Sequence, residues 1–331
     1  MTDTPCSIAS LHQQMLQSPD VLHSIEALQR ALPPLGLTAN TELKLIASDW
    51  PKDALLALFE TLQVLRVSLC NITHAKSNDL HGDFINAWSL GLCGVEHETL
   101  HAHLSDFEYP ALDLFCLPID RPPIRFACFD MDSTLIEIEV IDELAKRAGV
   151  GEDVARITRR AMQGELDFKQ SFTARMALLN GLPAAVIDSI LAKLPITDGA
   201  ASLIAALRER QIKSAIFSGG FTEFAKPLAA KLGIDYVHAN ALPMREGLVT
   251  GEIALPIVDS QYKRQLLIDY CDKLGISLKQ ALAVGDGAND LPMLMEAGIG
   301  VAFRAKPVVR AEARFELNHH DLSALVYLLG H

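Results

Sequence analysis

An α/β fold, a parallel sheet with an inserted helical cap preceded by a small α+β domain, is the architecture this 331-residue sequence predicts. Three observations carry that reading. The length exceeds the roughly 150 residues of an ordinary domain, so two domains are expected. A proline-rich stretch, Pro110-Ala-Leu-Asp-Leu-Phe-Cys-Leu-Pro118-Ile-Asp-Arg-Pro122-Pro123, separates regions of different patterning and cannot continue a helix or a central strand. Beyond it, short apolar runs alternate with helical stretches, as in parallel sheets covered by helices on both faces.

The elements follow in order. Leu22, Ile25, Leu28 and Leu32 recur at helical spacing, whereas Gln63-Val-Leu-Arg-Val-Ser-Leu-Cys-Asn-Ile-Thr73 alternates like a strand. After the break, Ile124–Phe129, Ile212–Phe217 and Gln280–Val284 have strand length, and a helical run such as Phe224–Gly233 follows. Between the first two strands lie further helical runs, Glu143–Ala148, Val154–Gln163, Ser171–Leu179 and Ala185–Leu194. One crossover does not need so many helices, so the excess reads as a cap inserted over the sheet. The expected domains are 1–118 and 119–331, with the cap at about 139–205.

Composition excludes several classes. Asp plus Glu total 41 against 29 Lys plus Arg, a net charge of −12, and a nucleic-acid binder normally shows a basic surface. No apolar run approaches the ~20 residues of a membrane helix. The opening MTDTPCSIASLHQQ lacks the basic and apolar regions of a leader, so a cytoplasmic protein without membrane partners is expected. Cys6, Cys70, Cys93, Cys116, Cys128 and Cys271 form no C-x-x-C pair and read as buried free thiols rather than a disulfide framework or zinc site.

Each strand of the second region runs into a polar cluster: Asp130-Met-Asp132-Ser-Thr134, Ser218-Gly-Gly-Phe-Thr222 and Gly285-Asp286-Gly-Ala-Asn289-Asp290. In open parallel sheets, ligands bind beyond the carboxyl ends of the strands, so the three clusters should meet at one site. Asp130 and Asp132 stand two apart on extended chain and point the same way. Carboxylates held together need a cation or a proton between them, and an oxygen-rich site of this kind favours Mg²⁺. Taken alone, Asp130 would equally read as the cap of a helix beginning near Thr134. An EF-hand starting at Asp130 fails, because its twelfth position is Ile141 rather than Glu. Ser218-Gly219-Gly220 resembles a phosphate-binding turn. Lys263 follows the cap-like Asp259-Ser260 in the first turn of a helix, where the dipole disfavours cations. It is placed either to bind an anion or simply in solvent.

These residues resemble the phosphoserine phosphatase branch of the haloacid dehalogenase (HAD) superfamily, in its longer bacterial form with an N-terminal extension. The superfamily motifs correspond to Asp130-Met-Asp132-Ser-Thr134, Ser218, Lys263 and Gly285-Asp286-Gly-Ala-Asn289-Asp290. Ile138-Glu139-Val-Ile-Asp-Glu143 and Ala161-Met-Gln-Gly-Glu-Leu-Asp-Phe168 match the branch. The resemblance covers about 124 to 331 and implies a Rossmann-like parallel sheet, the HAD fold, after an ACT-like extension. It also implies Mg²⁺-dependent hydrolysis of O-phospho-L-serine to L-serine and phosphate, the last step of L-serine biosynthesis. Asp130 would be the nucleophile and Asp132 the general acid and base. One Mg²⁺ per site would be held by Asp130, the Asp132 carbonyl and Asp286, with Asp290 behind it. Ser218, Gly219 and Lys263 would bind the phosphoryl oxygens, and Asn289 would position substrate or ligands of the metal. Glu139 and Arg175 would take the ammonium and carboxylate of the substrate, and Met162 and Phe168 would line an apolar wall or pack in the core.

The readings left open are another small phosphomonoester, phosphoryl transfer to an alcohol, and a regulatory amino-acid-binding protein with a vestigial phosphatase site. His97-Glu98-Thr-Leu-His101 spells the zinc-protease pattern, but His103 lies off that helix face and no third ligand is evident. The N-terminal region has no chemistry-bearing motif and is expected to serve structure, a homodimer or ligand sensing.

Overall fold

The computed structural model describes residues 8–17, 38–48, 50–78, 84–105 and 109–330. The helix expected from Leu22, Ile25, Leu28 and Leu32 lies outside these residues, as does Cys6. The chain divides into two compact units, one of residues 1–122 with 315–330 and one of residues 123–314. The C-terminal segment thus groups with the first unit, although it was expected to belong to the second region.

In the first unit, strands β1 (Thr41–Ala47), β2 (Ser68–Asn78), β3 (Phe84–Cys93) and β4 (Asp113–Pro118) form an antiparallel sheet in the order β2-β3-β1-β4. Helices Lys52–Val64 and His97–Leu104 connect β1 to β2 and β3 to β4. Leu55, Leu58, Phe59 and Leu62 recur at helical spacing and pack with Leu43, Leu45, Leu90 and Leu92 in one core. The strand expected over 63–73 therefore begins only at Ser68, because Leu62 and Val64 complete the helix instead. The proline-rich break contains β4, which is tolerated because β4 is an edge strand and Pro118 is its last residue.

On this sheet, Glu42 pairs with Lys44 at 2.9 Å and Arg121 at 2.6 Å and accepts a hydrogen bond from Ser89. Burial would raise the Glu42 carboxyl, but Lys44, Ser89 and Arg121 together bring it down to about 2. Asp113 anchors the C-terminal segment. It accepts hydrogen bonds from the backbone N–H groups of Asn318, His319 and His320, and its Oδ2 lies 2.7 Å from the His320 ring nitrogen. Cys116, Cys128 and Cys271 are buried thiols as expected, whereas Cys70 and Cys93 are half-buried.

In the second unit, β5 (Phe126–Phe129), β6 (Lys213–Phe221), β7 (Tyr236–Asn240), β10 (Ala281–Gly285) and β11 (Ile299–Phe303) lie in the order β11-β10-β5-β6-β7. All four neighbouring pairs are parallel. A two-stranded hairpin, β8 (Met244–Arg245) with β9 (Leu248–Val249), stands apart from that sheet. The strands are buried on both faces, which explains their lack of alternation. Phe126, Cys128, Phe217, Leu267, Ala283 and Met293 share one core.

Between β5 and β6 the chain makes an isolated antiparallel bridge between Ile136 and Ile196. Glu137 donates its N–H to the Pro195 carbonyl, and Thr197 donates to Leu135. That narrow stem holds helices Val140–Ala148, Gly151–Met162, Phe168–Leu178 and Ala185–Leu191 as an insertion. The expected cap at 139–205 overlaps it and runs on into Ala200–Glu209, the helix that leads to β6.

Candidate active site

The three strand ends meet. After β5, the Asp130 N–H bonds to the Val284 carbonyl of β10, so the first acidic loop is tied to the neighbouring strand. No helix begins near Thr134. Instead the Met131 carbonyl accepts from Thr134, Leu135 and Ile136 in a tight turn, with Ser133 at φ +56°. This excludes the helix-cap reading of Asp130, whose Oδ1 accepts from the adjacent Met131 N–H at 2.7 Å. One carboxylate oxygen each from Asp130, Asp286 and Asp290 lies within 4.8 Å of the other two, the sole such acidic, histidine or cysteine group among the described residues. The His97 and His101 pair is not part of it. His97 contacts its neighbour Glu98 at 3.0 Å instead.

Lys263 is fully buried, which rules out the solvated alternative. Asp259 caps its helix by accepting from the Tyr262 N–H, and this places the lysine in the first turn facing the carboxylates. Its ammonium stands 2.7 Å from Asp290 and 2.9 Å from Asp130. Burial alone would lower the lysine pKa, but the two carboxylates outweigh it and hold Lys263 charged above its ordinary value. Asp290 also accepts from the Gly287 N–H at 3.0 Å. That approach requires glycine at 285, where a Cβ would fall 2.4 Å from the Asp290 carboxyl carbon.

Asp132 Oδ1 is buried without a hydrogen-bond partner. Burial first, then Glu139 and Asp130, raise its carboxyl well above the ordinary range. Burial and Asp130 push Asp286 up to about 7. Four acids thus lie around the buried Lys263, and the exposed Lys306 reaches only Asp286, at 3.9 Å. Oxygen donors as close together as those of Asp130, Asp286 and Asp290 fit a hard divalent cation.

Ser218, Gly219 and Gly220 lie within β6, where a turn was expected; the register to β7 is irregular between Phe217 and Phe221. Ser218 Oγ accepts from the Gly220 N–H at 2.9 Å. Gly220 is bare of side chain for a reason, since a Cβ there would sit 2.8 Å from Asp132 Oδ2. The insertion also reaches the site. Ser133 donates to Glu139 at 2.9 Å, and a Cβ on Gly219 would meet the Phe168 ring at 3.3 Å. Arg175 is half-buried, bonds weakly to the Ser171 carbonyl at 3.4 Å and feels Asp142, Glu139 and Asp132. Its burial lowers its pKa despite those acids. Met162 does not pack in the core, being 75% exposed at the end of its helix. Phe168 stacks on Phe172 at 6.0 Å. Asn289 is half-buried against Gly287.

Two residues near the site were not found from the sequence. Asp142, in the first turn of the helix after Glu139, acts electrostatically on Arg175 and is unmarked among neighbouring acids. Lys306 lies 3.9 Å from Asp286. Its signal was available, because Ile299-Gly-Val-Ala-Phe303 is a fourth apolar run that ends in a polar loop.

Comparison with known proteins agrees with this geometry. Residues 124–298, more than half the chain, match the haloacid dehalogenase-like hydrolase family. The chain belongs to that family. Among family relatives, a phosphoserine phosphatase of Streptomyces coelicolor is 42% identical over 250 residues, 74% of this chain but 61% of its own. One from Streptococcus thermophilus is 46% identical over 200 residues, 60% of this chain and 93% of its own. A HAD-family hydrolase from Salmonella enterica serovar Typhi superposes with a TM-score of 0.76 at 31% identity, covering 87% of this chain and 98% of its own. The matched stretch contains the acidic loops after β5 and β10 and the buried Lys263 between them. No helix among the described residues is long and apolar enough to cross a membrane.

Proposed function

We propose that this hydrolase cleaves O-phospho-L-serine to L-serine and phosphate through an aspartyl-phosphate, as a step that supplies L-serine. The observation that carries the reading is the joining of Asp130, Asp132 and Lys263 at the sheet edge with Glu139 and Arg175 from the insertion. The first three suit any phosphate ester. The last two, of opposite charge and on the inserted segment, suit the ammonium and carboxylate of an amino acid, and the planar fork of arginine can hold both carboxylate oxygens. The relatives named phosphoserine phosphatase support the same substrate.

In this reading an Asp130 oxygen attacks phosphorus, the bond from phosphorus to the serine oxygen breaks, and Asp132 gives that oxygen its proton. Asp132 suits the task because burial and its acidic neighbours favour its protonated form. It then takes a proton from the water that opens the aspartyl-phosphate, and phosphate leaves. Ser218, the Gly219 N–H and Lys263 hold the phosphoryl oxygens, and Asn289 helps position the bound groups. Asp130, Asp286 and the Asp132 carbonyl would hold Mg²⁺, with Asp290 fixed behind them by Lys263 and Gly287. When bound, Mg²⁺ supplies positive charge to the phosphoryl oxygens and lowers repulsion among the carboxylates.

The test is phosphate release from O-phospho-L-serine, with Mg²⁺ and with chelator, for wild type and Asp130→Asn. Mg²⁺-dependent release that the substitution abolishes is expected. Asp130-dependent release from other esters alone would keep the mechanism and reject the substrate. Inactivity on every ester would reject both.

A further inference from the structure

Two lysines approach the carboxylates, in very different ways. Lys263 is fully buried and makes two close ion pairs. Lys306 leaves the loop after β11, and its side chain is 58% exposed and stands 3.9 Å from Asp286 Oδ2. Its position is nevertheless built in. The Lys306 N–H bonds to the Asp286 carbonyl at 3.4 Å, so the residue bearing the carboxylate also tethers the lysine backbone. Two residues earlier, Arg304 takes φ +43°, a conformation costly for a side chain of that size. Strand β11 lies beside β10, so its loop is the fourth to reach this edge of the sheet.

We propose that Lys306 is a tuning cation: its ammonium occupies the solvent side of Asp286 and competes with the divalent cation for that carboxylate, which weakens metal binding and keeps it reversible. The inference rests on the metal reading above. Lys306 acts on the metal site through Asp286 and touches no reacting atom, so it is a positioning residue. A largely exposed unit charge about 4 Å from a buried carboxylate changes the affinity of a divalent ion by roughly threefold to tenfold.

Calorimetric titration of Mg²⁺ into the metal-free protein tests this without turnover. Lys306→Met is expected to bind Mg²⁺ roughly threefold to tenfold more tightly, with Lys306→Arg near wild type and the difference shrinking as salt rises. In activity assays the half-saturating Mg²⁺ should fall by the same factor, while kcat at saturating Mg²⁺ stays unchanged. Lys306→Gln, with its side chain still polar, should behave as Lys306→Met and guards against a packing effect of the methionine. If both neutral variants melt like wild type in chelator yet bind Mg²⁺ equally or more weakly, the proposal is overturned. If wild type takes up no divalent cation, the metal reading fails first, and the role of Lys306 falls with it.

Discussion

At the scale of single residues, the site depends on where charge is left uncompensated. Asp132 is the clearest case, with a buried unpartnered oxygen, a raised pKa and two acidic neighbours. In the proposed mechanism it donates a proton and must start protonated, so activity should fall as pH rises through its raised pKa. Asp132→Asn should lower kcat by about 10²–10⁴-fold and remove that alkaline limb, read from kcat against pH with phosphoserine. The spacing of Asp130, Asp132, Asp286 and Asp290 was legible in the sequence, because a strand followed by a polar loop is a local pattern. Asp142 was not found, since it becomes distinctive only through its charge near Arg175, and Lys306 was missed although the apolar run Ile299–Phe303 before its loop was legible.

At the scale of elements, close backbone packing fixes the loops that carry chemistry. Gly300 lies in β11, where a Cβ would fall 1.9 Å from the Leu294 carbonyl of the preceding helix Leu291–Glu296. Backbone cannot yield as a side-chain end would. Gly300→Ala should therefore destabilise by at least about 1–3 kcal/mol, measured as a lower urea midpoint. Because β11 leads into the Lys306 loop, the same variant should also alter Mg²⁺ affinity. Elements were legible where periodicity was strong, as in the three apolar strands and the cap helices. They were misread where neighbouring periods overlap: Val64 and Leu65 fit a strand by alternation, yet the helical face of Leu55, Leu58, Phe59 and Leu62 claims the segment to Val64.

At the scale of the whole molecule, the acid cluster sets a balance between folding and metal. The Asp286 carboxyl, at about 7 in the fold and about 3.9 when unfolded, contributes stability fully present below pH 4. That contribution is lost as pH rises through 7. Glu42 works in the opposite direction, stabilising above about pH 4 and failing as pH falls toward 2. Between pH 5 and 8, where Glu42 is already ionised, the melting temperature of the metal-free protein should fall as pH rises. Mg²⁺ should restore it more at pH 8 than at pH 5, as scanning calorimetry at each pH would read. Equal Mg²⁺ effects at both would argue against a carboxylate site.

The sequence by itself determined the two-part organisation, the parallel α/β sheet, the insertion between its first strands and the acidic loops. Each of these rests on residues near one another in the chain, where period, turn chemistry and spacing act directly. Only the tertiary structure decided that Lys263 is buried between Asp130 and Asp290, that Lys306 meets Asp286, and that residues 315–330 group with the first unit. Those outcomes depend on contacts between distant positions. The hydrogen bonds that Asp113 accepts from Asn318 to His320 span more than two hundred residues, and no local pattern records such a pairing.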